Sequence, residues 1–289
     1  MTKIASISRN MKIADQMDRH VLYQKSVQDP ESDIEFLQEK YRELKGRDPR
    51  SLREDFCGTA YLAVEWCKAH PENTAVGVDL CEETLSWGKV HNVDPAGPKV
   101  AGRVQLVRQN VLDYFDPSQL ADIICAYNFS YNIFKQRQQL IDYFKNARRG
   151  LNDEGVLVLD VFGGTEAYTE TEELREVEDE DFDYIWDQAK FNPITHEMIC
   201  HIHFEFADGS RMDKAFTYEW RLRTLPELIE SLYEAGYSKV RCYWEEFEDN
   251  DTESDEDDEE EFLEGTGVYY ETEEVETQES FISYLIAEK

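Results

Sequence analysis

Two positions in the first part of the chain have the residue types needed to hold a nucleoside. Residues 52–60 read LREDFCGTA, a short strand pattern followed by Gly58 in a tight turn and then a helical pattern. A glycine at such a turn lets the backbone approach a ligand closely. Asp79 follows about 20 residues later, at the end of the next predicted strand, where a carboxylate can accept hydrogen bonds from ribose hydroxyls. Each has an ordinary alternative: Gly58 could be a plain turn glycine, and Asp79 could cap the helix that begins near Glu82.

Alternating strand and helix patterns surround these two positions. The patterns predict strands at residues 52–55, 74–80, 104–107, 121–127, 156–162, 237–244 and 280–287. They predict helices at residues 30–45, 61–69, 82–91, 137–151 and 224–235. This βαβ alternation indicates an α/β fold, with a parallel sheet that is covered by helices on both faces.

The ordered series resembles the class I S-adenosylmethionine-dependent methyltransferases. Their first motif typically reads acidic-x-Gly-x-Gly-x-Gly, often with Cys-Gly-Thr in the middle. Glu54 takes the place of the acid, and residues 57–59 supply Cys-Gly-Thr. Phe56 and Ala60 replace the outer glycines. The resemblance implies a doubly wound, Rossmann-like, seven-stranded sheet that binds S-adenosylmethionine. A nicotinamide dinucleotide would instead require G-x-G-x-x-G after the first strand.

The resemblance also implies which residues contact this cofactor. The first turn would contact its methionine part, Asp79 its ribose and Asn110 its adenine amine. Most family members carry Asp where this chain has Asn110, and an amide oxygen can still accept that hydrogen bond. The implied cofactor-binding residues are Glu54, Phe56, Cys57, Gly58, Thr59, Asp79, Leu80, Gln109, Asn110, Val111 and Tyr127.

The segment after the fourth predicted strand would face the sulfonium and the acceptor. It supplies Asn128, Ser130 and Tyr131 as implied catalytic residues. Methyl transfer is an in-line displacement, so the protein would mainly hold the nucleophile near the methyl group in a dry site. The segment could instead be a structural turn. The Asn-x-x-Tyr spacing also resembles the Asn-Pro-Pro-Tyr motif of enzymes that methylate exocyclic base amines, but both prolines are missing.

Residues 184–223 break the βαβ rhythm, because apolar and polar side chains alternate along extended stretches. Asp208-Gly209 is a hairpin signal, so we expect an inserted antiparallel β layer. In small-molecule methyltransferases of this class, an insertion here often covers the acceptor. The candidate aromatic walls are Tyr184, Trp186, Tyr218 and Trp220. They could hold a cationic amine, or form the insertion's own core or a homodimer surface.

His201 and His203 lie on one face of a predicted strand in this insertion. A metal or general-base role would need a third group at a recognisable spacing, and none is evident. We therefore expect a packed or exposed strand pair, and no metal site.

The predicted organisation has four parts. They are an N-terminal helical segment at 1–48 that could close over the cofactor, the cofactor-binding core at 49–165, an acidic linker with the antiparallel insertion at 166–223, and the remaining core at 224–289 with an acidic loop at 246–278.

The formal net charge of −33 is unevenly distributed. Residues 245–279 hold 19 Asp and Glu and no Lys or Arg, and residues 166–183 hold ten acids and one Arg. Such blocks repel themselves and stay solvated, so we expect the loop at 246–278 to be largely disordered. Nucleic acid is not expected as a partner, because phosphate binding requires a basic surface.

The remaining composition indicates a cytoplasmic protein. The six cysteines are widely spaced without CxxC, which favours free thiols in a reducing compartment. No apolar run reaches the length needed to span a membrane. The sequence therefore predicts S-adenosylmethionine-dependent methyl transfer to a nitrogen or oxygen of a small-molecule acceptor. The alternative is an interaction module, or a protein methyltransferase, that recruits a basic partner through the acidic loop.

Overall fold

The computed structural model describes residues 11–247 and 265–289, and the chain divides into two compact units. The smaller unit comprises the N-terminal segment up to Gln28 together with residues 169–221. The larger unit comprises residues 29–168 and 222–289. The segment predicted at 1–48 is thus divided, because its second helix belongs to the larger unit.

The described residues form seven α-helices and twelve strands. The helices are α1 (Arg19–Ser26), α2 (Pro30–Lys45), α3 (Tyr61–Ala69), α4 (Glu82–Gly88), α5 (Pro98–Ala101), α6 (Arg137–Gly150) and α7 (Leu225–Glu234). The strands are β1 (Ser51–Asp55), β2 (Thr74–Asp79), β3 (Val104–Arg108), β4 (Ala121–Ala126), β5 (Leu151–Gly163), β6 (Glu172–Glu176), β7 (Phe182–Asn192), β8 (Glu197–Phe206), β9 (Arg211–Arg221), β10 (Lys239–Phe247), β11 (Gly265–Glu271) and β12 (Phe281–Glu288).

Local signals set the ends of the helices. The Asp29 side chain accepts a hydrogen bond from the Ser32 backbone N–H at the start of α2, Pro30 occupies its first turn, and Gly46 ends it with φ +68°. Thr224 caps α7 in the same way, accepting from the Glu227 N–H. The sequence predictions for these two helices are confirmed.

The larger unit is built on an eight-stranded sheet in the order β11-β10-β12-β5-β4-β1-β2-β3. Strands β5, β4, β1, β2 and β3 are parallel, and β12 pairs antiparallel with β5. The strand order reverses between β1 and β4, so the carboxyl ends of these central strands meet at the point where doubly wound sheets bind ligands. The predicted doubly wound α/β fold is confirmed.

The eighth strand, β11, corrects the prediction of seven strands and a loop at 246–278. Residues 265–271 pair antiparallel with β10. The Tyr269 ring lies 5.3 Å from Phe36 and 4.9 Å from Tyr284, measured between ring centroids. Aromatic packing therefore outweighs the local acidic composition here. Residues 248–264 of the acidic stretch lie outside the described residues.

Two cores cover the faces of this sheet. One core contains apolar residues of α6 and α7, including Leu140, Phe144 and Leu228. The other contains residues of α2 and α3, including Leu37 and Trp66. Successive residues of a strand point to opposite faces, so Glu54 faces α3 while Arg53 and Asp55 face α6.

The smaller unit holds the antiparallel sheet β6-β7-β8-β9, which confirms the predicted inserted layer. The hairpin between β8 and β9 turns at Gly209, with φ +73°. The acidic block at 166–183 contributes β6, whose residues are all exposed, in agreement with the expectation that this block stays solvated. Tyr184, Trp186 and Tyr218 pack against the unit's own core, which includes Leu22 of α1.

The cysteines differ in burial. All six are free thiols. Four are buried, Cys242 is half-buried, and Cys81 is exposed at the start of α4.

Candidate active site

The turn after β1 adopts a left-handed backbone at each of its three motif positions. Phe56, Gly58 and Ala60 have φ of +60°, +51° and +55°. Glycine adopts this conformation freely, whereas other residues have about 1–2 kcal/mol of strain. The turn therefore keeps the shape for which the family uses three glycines, although this chain has a glycine only at the centre.

Asp79 and Gly58 are in direct contact. One Asp79 carboxylate oxygen accepts a hydrogen bond from the Gly58 N–H at 2.9 Å, and the other accepts from the Cys81 N–H at 2.7 Å. Asp79 is half-buried at the end of β2, so this carboxylate joins the first turn to the start of α4. The two positions singled out by the sequence are brought together because β1 and β2 are parallel neighbours.

Helix α4 packs closely against the turn after β1. A glycine that the sequence analysis did not single out allows this close approach. A Cβ at Gly88 of α4 would overlap the Thr59 carbonyl. The Asn92 side chain donates to that carbonyl at 2.9 Å. The Phe56 ring packs 5.9 Å from Phe134 and 5.5 Å from Tyr143, measured between ring centroids, on the α6 face of the sheet.

The residues assigned to adenine lie beside Asp79. The Gln109 N–H donates to the Asp79 carbonyl at 3.1 Å. The Asn110 side-chain oxygen accepts from the Leu112 N–H at 3.0 Å, which leaves its second lone pair for a ligand. Val111 is buried, and Leu80 is 66% exposed, an apolar surface next to the carboxylate.

The segment after β4 is held by Asp160, which lies near the carboxyl end of β5. The Asp160 carboxylate accepts from the backbone N–H groups of Asn128 at 2.6 Å and Phe129 at 3.0 Å, and both residues have φ +55°. The Tyr131 hydroxyl donates to the Asp160 carbonyl at 2.7 Å, and the Ser130 hydroxyl donates to the Tyr127 carbonyl at 2.8 Å.

These contacts give the three implied catalytic residues different environments. Tyr131 is only 1% exposed and its hydroxyl is used within the core, so it positions the segment. Asn128 is half-buried, and its side-chain amide forms no hydrogen bond with any described residue. The Asn128 amide is therefore the group best placed to reach a ligand.

Burial perturbs three carboxyl groups at this edge of the sheet. It raises the pKa of Glu54 to about 8, although the Ala63 N–H donates to this group. It raises the pKa of Asp160 to about 7, against the hydrogen bonds from Phe129 and Asn128. Burial, with the nearby charge of Asp160, raises the pKa of Asp33 on α2 to about 8.

The sequence reading missed Asp33 and Asp160 as site residues. In the sequence, Asp33 is one of several acids in the first turn of a helix, where acids are common because they complement the helix dipole. Asp33 therefore has no local signal that separates it from an ordinary surface acid. Asp160 lies inside the apolar run VLVLDVF, where an acid is a local signal of burial that was not used.

The histidine pair lies entirely within the smaller unit. His201 Nδ1 is 2.9 Å from the Thr217 hydroxyl, and His203 Nε2 is 3.3 Å from Asp187. His203, Asp187 and Glu172 each offer an atom within 4.8 Å of the others, but Glu172 is paired with Arg211 at 3.1 Å. His203, Asp187 and Glu172 thus each have a polar or charged partner within the smaller unit.

Known proteins share the fold and part of the sequence. No family model matches the chain. The Bacillus subtilis (strain 168) protein named "Putative methyltransferase YqeM" is 28% identical over 189 residues, which is 64% of this chain and 72% of that protein. An S-adenosylmethionine-dependent methyltransferase from Clostridium acetobutylicum matches 93% of this chain and 96% of its own, with a TM-score of 0.63 and 18% identity. The amino pentose methyltransferase CalS10 of Micromonospora echinaspora, solved with S-adenosylmethionine bound, matches 93% of this chain and 96% of its own, with a TM-score of 0.63 and 13% identity.

The chain is thus similar in fold to S-adenosylmethionine-dependent methyltransferases, and part of its sequence is similar to a protein named as a putative methyltransferase. The shared fold, the first-turn motif and the contact between Asp79 and Gly58 agree on this point. S-adenosylmethionine is the cofactor of this class, and the acidic edge suits its cationic sulfonium and ammonium groups. In the part of the chain that the structure describes, no helix is long and apolar enough to cross a membrane.

Proposed function

We propose that this methyltransferase transfers the methyl group of S-adenosylmethionine to a nitrogen or oxygen of a small-molecule acceptor in the cytoplasm. The observation that carries the proposal is the hydrogen bond from the Gly58 N–H to Asp79, which joins the carboxyl ends of β1 and β2 next to the reversal of strand order. CalS10 supports an acceptor of small size, since it is an amino pentose methyltransferase with the same fold.

The cofactor would lie along the carboxyl ends of β1 and β2. Asp79 has one lone pair on each oxygen beyond its two protein hydrogen bonds, and these can accept from the ribose hydroxyls. The exposed Leu80 side chain offers an apolar contact to the adenine, and Asn110 offers its amide. Glu54, Cys57 and Thr59 would surround the methionine part from the first turn.

The acceptor would approach the segment after β4. S-adenosylmethionine supplies an activated methyl group, so the protein's own residues contribute position and a dry site. Asp160 fixes the backbone of Asn128 and Phe129 through two hydrogen bonds. The Asn128 amide can then orient the acceptor with little loss of backbone entropy on binding. That the inserted β layer covers the acceptor remains a prediction.

Calorimetry tests the first step. We expect micromolar binding of S-adenosylmethionine and of its demethylated product, S-adenosylhomocysteine. Asp79→Ala should weaken both by about 10–100-fold, since hydrogen bonds to a charged group contribute about 1.5–3 kcal/mol. Asp153→Ala is the matched control, because Asp153 is exposed near the amino end of β5. Absence of binding to the unaltered protein would overturn the proposed function.

A further inference from the structure

Asp33 is an acid in the first turn of α2 whose charge no described residue neutralises. Its carboxylate is half-buried, and no described side chain or backbone N–H donates a hydrogen bond to it. Burial, Asp160 and Asp29 all act to raise its pKa, which is about 8. This carboxylate therefore lies in a site that disfavours its own ionised form.

The groups around Asp33 come from six elements, and none is basic. The titratable groups in electrostatic range of Asp33 are Asp29 at the start of α2, Glu54 on β1, Cys125 and Tyr127 at the end of β4, Asp160 on β5, Tyr269 on β11 and Tyr284 on β12. All are acidic or neutral, so the described protein supplies no counter-ion.

Tyr127 is a second, independent sign of a ligand. It is only 8% exposed, and its hydroxyl is buried without a hydrogen-bond partner in the described chain. Buried polar groups are almost always paired, so an unpaired hydroxyl calls for a partner from outside the protein. Tyr127 directly precedes Asn128, and its ring lies 5.8 Å from that of Tyr284, measured between ring centroids.

A positively charged ligand would satisfy this arrangement. A buried carboxylate is costly unless a cation lies near it, and aromatic rings also attract cations. A sulfonium has no N–H donors, so it does not require a fixed hydrogen-bond geometry. It is attracted by carboxylates, hydroxyl oxygens and aromatic rings. Asp33, Tyr127 and Tyr284 supply these groups within electrostatic range of one another.

We propose that Asp33, together with the Tyr127 hydroxyl, forms the subsite for the sulfonium of S-adenosylmethionine. This inference rests on the proposed function, but it assigns a residue of α2 that lies outside the sequence motifs. The positive charge of the cofactor would replace the counter-ion that the protein lacks. Loss of that charge after methyl transfer would weaken binding and favour release of S-adenosylhomocysteine.

Calorimetry with both ligands probes the charge, because they differ only in the methyl group and positive charge at the sulfur and share the same ribose, adenine and amino acid groups. At pH 8.5 we expect S-adenosylmethionine to bind the unaltered protein about tenfold more tightly than S-adenosylhomocysteine. In Asp33→Asn that ratio should fall to about twofold or less, with S-adenosylhomocysteine binding changed by less than about twofold. Tyr127→Phe should lower the ratio in the same direction by a smaller factor.

One control variant and one further test support the interpretation of these ratios. Glu35→Gln removes the same charge from an exposed position of α2 and should keep the original ratio. The unaltered protein provides a second test that needs no variant. Asp33 and Glu54 take up protons as the pH falls below about 8, so its ratio should decrease between pH 8.5 and pH 6.5.

The outcomes separate this inference from the proposed function. An unchanged ratio in Asp33→Asn, or an equal loss of affinity for both ligands, would overturn the sulfonium subsite. Failure of the unaltered protein to bind either ligand would overturn the proposed function itself.

Discussion

Buried acids on the two faces of β1 are stabilised in different ways. On the α6 face, Asp55 forms two hydrogen bonds with Arg53 at 2.7 and 2.9 Å and accepts a third from the Tyr143 hydroxyl at 3.1 Å. On the other face, Glu54 accepts one bond from a backbone N–H, and its electrostatic neighbours are further acids, Asp33 and Asp79.

Neighbouring acids of β1 therefore have different roles: Asp55 stabilises the fold, whereas Glu54 belongs to the proposed cofactor site. The acid that meets a protein cation is part of the folded core. The acids at the cofactor edge depend on a ligand for their counter-charge, and they lower the stability of the ligand-free protein. Two changes test this distinction and a third tests backbone strain at the same edge, from the largest expected effect to the smallest.

The paired acid should be sensitive to loss of its partner. Arg53→Met leaves Asp55 buried without a cation, and we expect the free energy of unfolding to fall by about 3–5 kcal/mol in urea titrations. The double change Arg53→Met with Asp55→Leu should recover most of that loss, because no unpaired charge remains. A neutral effect of Arg53→Met alone would contradict the comparison.

The unpaired acid should show the opposite behaviour. The pKa of Asp33 is raised from 3.8 to about 8, so the folded state holds this proton more tightly than the unfolded chain. Stability should therefore fall as the pH rises from about 4 to 8. Asp33→Asn removes this effect and should stabilise the ligand-free protein at pH 8.5, by on the order of 1–2 kcal/mol, with a smaller gain at pH 5.

Urea unfolding at pH 5, 7 and 8.5 measures this effect, with Glu35→Gln as the exposed control. Glu54 and Asp160 should leave a residual pH dependence in Asp33→Asn, because the pKa of each is also raised. A variant that is less stable than the unaltered protein at every pH would show that Asp33 supports the fold.

Backbone strain should also be concentrated at the cofactor edge. Ala60 is buried with φ +55°, so Ala60→Gly should raise the free energy of unfolding by about 1 kcal/mol. Gly46→Ala is the matched reverse, because Gly46 has φ +68° and its added Cβ would meet open space. It should lower stability by a similar amount. If Ala60→Gly were destabilising, packing of the Ala60 methyl group would outweigh the strain.

The local sequence was sufficient for most elements of the larger unit. Helix α2 is capped by Asp29 and Gly46, and α7 by Thr224, because caps act on neighbouring backbone groups. The contact between Gly58 and Asp79 also followed from the pattern. Consecutive βαβ units place the carboxyl ends of adjacent parallel strands side by side.

Other features depended on contacts that no local pattern encodes. Strands β6 and β11 lie in acidic stretches, and β11 forms because Tyr269 packs with Phe36 and Tyr284, residues distant in the chain. The sequence by itself determined the caps of α2 and α7 and the order of the βαβ units in the larger unit, since periodicity and caps are local. Only the tertiary structure decided that Asp33, Tyr127 and Asp160 share one site, because an acid's function depends on the charges that the fold brings near it.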